Sequence, residues 1–489
     1  AVNDSQYNIS NNIGVGILSR NRKGSLERLI QSIQKYTDLT RTTIFISDDA
    51  SDDQELLKYL DSLKNQFVVI KNTTRLGVAG NTNRLMRCLE RFENCLLLND
   101  DVQILRSGWE YFYKDVALKS RMHHFMRQEP GIYGSVIGDN VEINQVPLLK
   151  TNSKPHGAVL SYTNKLFNTI GYFDEKYGLY GMEHVDWSVR ASSLQGPGFF
   201  DAPGSDKYFR IHNDKSSINN KPELLANARQ LYGDGPKSRY IGSASYLDLP
   251  SISYVIPIQV FDRLESIGTV INSIRGQLFP IIDIIISEYN EYQTLNDIYY
   301  PTKYMFTKCG NKQPFNKSMA FNAGVAAAKT RHVILHDADL IPNCYYSSKV
   351  HGMLQNNSAL HIGNQVVYLN KESTSSINST GKVDKNMACE RAVGYFEGGS
   401  LACSTKTYWE VGGFNEDFKG YGNEDTEFYG RISKHNGFIS NRTELFIHLY
   451  HGRTDGWTEY HRINKLIESK LEALPMVERI SKLHQQNIK

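Results

Sequence analysis

The sequence predicts an α/β protein made of two tandem copies of one domain, each a mainly parallel sheet sandwiched by helices, with a helical tail after the second. Three observations carry this. First, Ile170–Asp186 (IGYFDEKYGLYGMEHVD) aligns without a gap on Val411–Glu427 (VGGFNEDFKGYGNEDTE) at an offset of 241 residues. The same offset sets Arg190 on Arg431, Asn81 on Asn322, Gly157 on Gly398 and Leu160 on Leu401. With small slips, Asp101 falls on Asp339 and His212 on His451. A solenoid repeats every 20–50 residues or so, so this period means whole duplicated domains. Second, short apolar runs alternate with helical stripes, the βαβα order of a parallel sheet. Third, Ile463, Leu466, Ile467, Leu471 and Leu474 recur at helical spacing near the C-terminus.

In the first copy, the apolar runs Ile13–Leu18, Thr43–Ile46, Phe67–Ile70 and Cys95–Leu98 predict strands. Leu26–Ile33, Glu55–Leu63 and Asn81–Leu89 predict the helices between them. A junction rich in Gly, Pro and Ser lies near Pro236–Pro250, before a fresh apolar strand at Tyr254–Ile258. The expected boundaries are therefore 1–240 for the first domain, 250–457 for the second and 458–489 for the tail, which Pro475 interrupts. The polar tract Asn370–Asn386 predicts a long surface loop.

Composition narrows the function. The 489 residues are 40% hydrophobic and 22% charged, an ordinary globular balance. A net charge of +3 argues against nucleic acid as a partner. The apolar runs, such as Val255–Ile258 and Ile281–Ile286, fall far short of the roughly 20 residues of a membrane span. The polar start lacks a signal-peptide core. Six scattered cysteines without a CxxC predict reduced thiols in a cytoplasmic protein. The amphipathic, slightly basic tail predicts either docking on the inner membrane face or an export partner, or packing on its own domain.

Ligands of open parallel sheets bind beyond the carboxyl ends of strands, and acids cluster there. Asp48 and Asp49 follow the second strand, and Asn99, Asp100 and Asp101 follow the fourth. In the second copy, HVILHDADLIP places Asp337 and Asp339 at a strand end, on one side of an extended chain. Such a pair suits one hard divalent cation, Mg²⁺ or Mn²⁺, with oxygen ligands.

Three further segments accompany that pair in order: Phe315-Asn-Lys-Ser-Met-Ala-Phe-Asn322, Gly420-Tyr-Gly-Asn-Glu-Asp425 and His448-Leu-Tyr-His451. Together they resemble nucleotide-sugar glycosyltransferases of the GT-A fold, of the β-1,4-galactosyltransferase and chondroitin-polymerase type. There FNR(x)KxLN, DxDLIP, GWGGED and a final His occur in the same order. The first copy resembles glycosyltransferase family 2 through Ser19-Arg-Asn-Arg22, Ser47-Asp-Asp-Ala-Ser-Asp52, Arg75-Leu-Gly-Val-Ala-Gly-Asn81 and Leu98-Asn-Asp-Asp101.

The resemblance implies roles. In the second copy, Asp339 and Asp337 anchor Mn²⁺ or Mg²⁺ on the diphosphate of a UDP-sugar, and His451 completes the coordination with His448 as its rival. Lys317 contacts the diphosphate. Asp425 takes the proton of the acceptor hydroxyl, Glu424 binds the acceptor glycan, and Tyr421 and Trp409 are candidates to stack on a sugar. Glu288 stands where the family has a double Asp. In the first copy, Asp49, Arg75, Asn99 and Asp100 face the donor, and Asp101 and His212 are metal ligands. His184 takes the place of Asp425 as base, with Glu183 as the fallback. The implied function is a bifunctional inverting glycosyltransferase adding two sugars, for a capsule or other surface polysaccharide. The alternatives are one live transferase joined to a carbohydrate-binding copy, or sequential glycosylation of a protein or short glycan.

Overall fold

The computed structural model describes residues 2–131, 138–151, 157–216, 221–233, 240, 246–259, 263–452 and 456–487. Most of the expected junction lies outside them. The chain forms two compact units, Asn11–Leu249 and a second made of Ala1–Ser10 with Pro250–Lys489.

The first unit is built on a six-stranded sheet in the order Val68–Lys71, Thr43–Asp48, Ile13–Ser19, Asn94–Asn99, Val159–Thr163, His124–Met126. The first four run parallel. Val159–Thr163 is antiparallel to both of its neighbours. Thr43–Asp48 is buried at every residue, as a strand covered on both faces must be. Helix Lys23–Tyr36 turns Leu26, Leu29, Ile30 and Ile33 inward, one apolar stripe at helical spacing. The third helix starts at Gly77, four residues ahead of the apolar pattern.

In the second unit, Lys303–Lys308, Ile281–Asn290, Ser251–Ile258 and His332–His336 repeat that parallel order. The sheet then continues through Ser400–Ser404, Ala359–Leu369, Phe438–His448 and the two-residue strand Leu340–Ile341. Residues that precede the first copy in sequence belong to this second unit. Tyr7 and Ile9 are buried in one cluster with Ile252, Tyr254 and Ile271. The Cys344 amide donates to the Gln6 carbonyl at 2.7 Å, and Ser10 donates to Asn272 at 3.0 Å. The tract expected as a loop holds the helix Lys371–Thr380, capped by Asn370 accepting from the Ser373 amide at 2.8 Å.

The tail forms two helices, Trp457–Glu472 and Met476–Asn487, on either side of Pro475. Both pack on their own unit. Asn464 donates to the carbonyls of Lys419 and Gly422 at 2.9 and 2.8 Å, and Arg479 pairs with Glu427 at 3.0 Å.

The repeat reappears in buried bonds. Arg190 binds Asp186 at 2.9 Å and the carbonyls of Ile170 and Tyr172. Arg431 binds Glu427 at 2.8 Å and the carbonyls of Val411 and Gly413. One equivalence slips. Asn322 donates to the Phe414 carbonyl and to Glu416, and its counterpart Asn83, rather than Asn81, donates to Phe173 and Glu175.

Candidate active site

In the second unit the two acids of the DxD part company. Asp339 precedes Leu340–Ile341, which pairs antiparallel with Phe438–His448 so that Leu340 faces His448. That register brings His448 Nε2 to 3.6 Å from Asp339 Oδ1 and His451 Nε2 to 3.3 Å from Asp339 Oδ2. The ligand atoms of Asp339, His448 and His451 lie within 4.8 Å of one another. One carboxylate and two imidazoles make a donor set that could hold a divalent first-row metal ion. His448 therefore joins His451 instead of competing with it. Burial opposes charge on Asp339, but His448, Arg263 and His451 outweigh it and hold its carboxyl well below the usual range.

Asp337 points to a different cation. Lys317, in the first turn of helix Lys317–Ala327, sets Nζ 2.8 Å from Asp337 and 2.8 Å from Asp425, with Glu424 at 3.8 Å. Burial works against the ammonium, yet these three carboxylates raise its pKa well above its ordinary value. Burial and the neighbouring Asp425 push Asp337 up to about 6 despite Lys317. Burial and Asp425 likewise push Glu424 up to about 7. Asp425 lies in the first turn of helix Glu424–Ile432, entered through Asn423 at φ 70°. A Cβ on Gly398 would run into the Asp425 carboxylate, so any larger residue there would have to displace it. Asp337, Gly398, Gly399 and Asp425 line a shared cleft.

Three other expected residues find different surroundings. Glu288 is fully buried and accepts from Asn290 at 3.0 Å, from the Thr294 amide at 3.1 Å and from Tyr304, so it folds the loop after its strand. Tyr421 is exposed, edge-on to Trp457 at 5.9 Å. Trp409 packs against the core beside Tyr408.

In the first unit, Asp49 accepts from the amides of Leu76 and Gly77 at 2.7 and 3.0 Å, tying the start of helix Gly77–Leu89 to the sheet. Arg75 is half-buried, and burial and Arg20 lower its pKa. Asn99 ends its strand, half-buried. Asp100 ion-pairs with Arg22, which also lies 3.7 Å from Asp101. Burial pushes Asp100 up to about 7 in spite of that partner.

His212 turns its ring to Gln103 at 2.9 Å. Here Ile211 is the residue facing Val102, so the strand register sets Ile211 on His448 and His212 on Leu449. The amides agree: His212 donates to the Asp101 carbonyl at 3.0 Å and Leu449 to the Asp339 carbonyl at 2.8 Å. The first-copy counterpart of His451 is then Asp214. His184 begins its helix beside Glu183, 3.4 Å away, after Met182 at φ 65°. A Cβ on Gly157 would sit 3.0 Å from the His184 ring, the same relation as Gly398 to Asp425.

Sequence reasoning quoted Arg22 in a motif without giving it a role, and missed Arg263 and Asp214. The signal for the arginines was present, since they stand at the repeat offset of 241.

Residues 15–116 match the family model for glycosyl transferase family 2, and residues 383–452 match that for the N-terminal domain of galactosyltransferase. A relative from Acanthamoeba polyphaga mimivirus, an uncharacterised glycosyltransferase, is 29% identical over 182 residues, 36% of this chain and 70% of its own. Among solved structures, S. aureus TarS with UDP-GlcNAc is 17% identical over 45% of this chain and 64% of that one, at a TM-score of 0.34. A Drosophila β-1,4-galactosyltransferase 7 with manganese, UDP-Gal and xylobiose is 17% identical over 41% and 71%, at a TM-score of 0.26. The chain spans less than two thirds of the TarS chain it matches. The first unit is thus similar to glycosyl transferase family 2 and the second to the galactosyltransferase domain, a glycosyltransferase match in each of the two units.

Proposed function

We propose that the protein is a bifunctional inverting glycosyltransferase in which each unit moves one sugar from a nucleoside diphosphate donor to a glycan. The observation that carries this is the second unit's pairing of a three-ligand cluster, Asp339, His448 and His451, with a carboxylate group, Asp337, Glu424 and Asp425, joined through one DxD loop. A divalent cation held by that cluster supplies charge neutralisation for the departing diphosphate. The chain's own residues do the rest. Asp425 accepts the proton of the acceptor hydroxyl as its oxygen attacks the anomeric carbon. The bond from that carbon to the diphosphate oxygen breaks, the electron pair leaves with the diphosphate, and the configuration inverts. Glu424 binds neighbouring acceptor hydroxyls.

In the first unit His184 takes the proton, beside Glu183. Pockets that differ at the base and at the donor motifs suit two different sugars, as in a polymer of alternating units such as a surface polysaccharide. A second reading, with the first unit as a carbohydrate-binding domain, is favoured by Arg22 on Asp100 and by the turn of His212 toward Gln103. The test is a screen of UDP-sugars with Mn²⁺ and short acceptors, scored as UDP release. Two donors should be used, with Asp101→Ala losing one and Asp339→Ala the other. One donor only, unaffected by Asp101→Ala, would establish the second reading.

A further inference from the structure

Arg22 and Arg263 stand at matching points of the two copies, 241 residues apart. Each is the residue just before the first helix of its copy, Lys23–Tyr36 or Leu264–Arg275. Each reaches the acid that follows the fourth strand. Arg263 Nε lies 3.0 Å from Asp339 Oδ2, and its Nη2 lies 3.4 Å from His451 Nε2. Arg22 pairs with Asp100, lies 3.7 Å from Asp101 Oδ2 and donates to the Asp214 carbonyl at 3.0 Å. Asp214 is the position that the strand register equates with His451. The surroundings have diverged, with Asn99 for Asp337, His184 for Asp425 and Ile211 for His448, yet the guanidinium is in place in both.

The chemistry at Asp339 is a competition. Its Oδ2 faces both Arg263 and His451, the side a cation bound by Asp339 and the histidines would take. Two cations on one carboxylate oxygen repel at close range. Asp339 and Asp101 are 6% and 5% exposed at the side chain, so each needs a counter-charge. Arg263 and Arg22 are 27% and 19% exposed, so their stems have an open side into which to swing. Lys317, held at 2.8 Å by two carboxylates, has no such freedom.

We propose that Arg22 and Arg263 are internal counter-cations of the two donor sites. Each neutralises its acid and must leave that acid when a divalent cation takes it, so the arginine sets the metal concentration at which the site loads. The inference rests on the metal reading given under Proposed function.

The experiment measures Mn²⁺ binding without donor, from the loss of the free-ion electron paramagnetic resonance signal, in the full chain. Asp101→Asn leaves the second site to be read alone, and Asp339→Asn leaves the first. On these backgrounds Arg263→Met and Arg22→Met, which keep the stem and lose the charge, should bind Mn²⁺ about tenfold more tightly. Arg263→Lys, a compact charge without the fork, should tighten it about twofold to threefold and serves if the Met variant fails to fold. Unchanged or weaker affinity in a folded variant overturns the proposal. A parent that takes up no Mn²⁺ at all overturns the metal reading itself, and this inference with it.

Discussion

At the scale of single residues, the second site depends on what fits beside Asp425. Gly398 leaves the carboxylate just enough room. Gly398→Ala should displace Asp425, the proposed base, and lower kcat of the second unit by about 10²-fold or more, with donor affinity held, since small misplacements of a catalytic group are costly. Steady-state kinetics with separate donor and acceptor series checks this. Lys317 is the other keystone, the one ammonium among three carboxylates. Lys317→Met leaves those charges without it and should destabilise the second unit by about 3–5 kcal/mol. Chemical denaturation read by near-UV circular dichroism would show the loss, and a variant as stable as the parent would refute the cage.

At the scale of elements, helix Glu424–Ile432 carries a built-in conflict. The Glu424 carboxyl is pushed up from 4.5 to about 7. A carboxyl with a raised folded value favours folding when protonated, so stability falls as pH rises through that window. Glu424→Gln should therefore raise Tm at pH 8 and leave it unchanged at pH 4, in melts run at both.

Elements also show what was legible. The inner strands could be found because parallel strands buried on both faces are apolar runs, as in Thr43–Asp48. Helix Lys371–Thr380 escaped because KESTSSINST has Ile377 as its one apolar residue and only a cap to announce it. Asp337, Asp339, Asp425 and His451 could be singled out because motif order pointed to them. The join of His448 to Asp339 depends on a strand register between Leu340 and His448, more than a hundred residues apart, and no local pattern encodes that. Nor could sequence foresee that Glu288 would be spent on its own loop.

At the scale of the whole molecule, the division into two units with separate cores predicts separable damage. Deleting residues 1–10 removes Tyr7 and Ile9 from the second unit's core and breaks the Gln6 to Cys344 bond. Amide hydrogen exchange should speed up in Ser251–Ile258 and Leu264–Arg275 and stay unchanged in Thr43–Asp48 and Val68–Lys71. Faster exchange in the first unit's inner strands would show that those residues serve the other core.

That leading segment sets an order of events during synthesis. Residues 2–10 leave the ribosome ahead of the first unit, yet the strands they pack against, such as Ser251–Ile258, are translated more than two hundred residues later. At roughly 5–20 residues per second the wait is tens of seconds, long enough for the first unit to fold. The apolar side chains of Tyr7 and Ile9 must pass that interval without their partners. A dissected second unit made from residue 250 onward would lack them permanently. Supplying residues 1–10 as a separate peptide should restore it, at an entropic cost the intact chain meets by tethering.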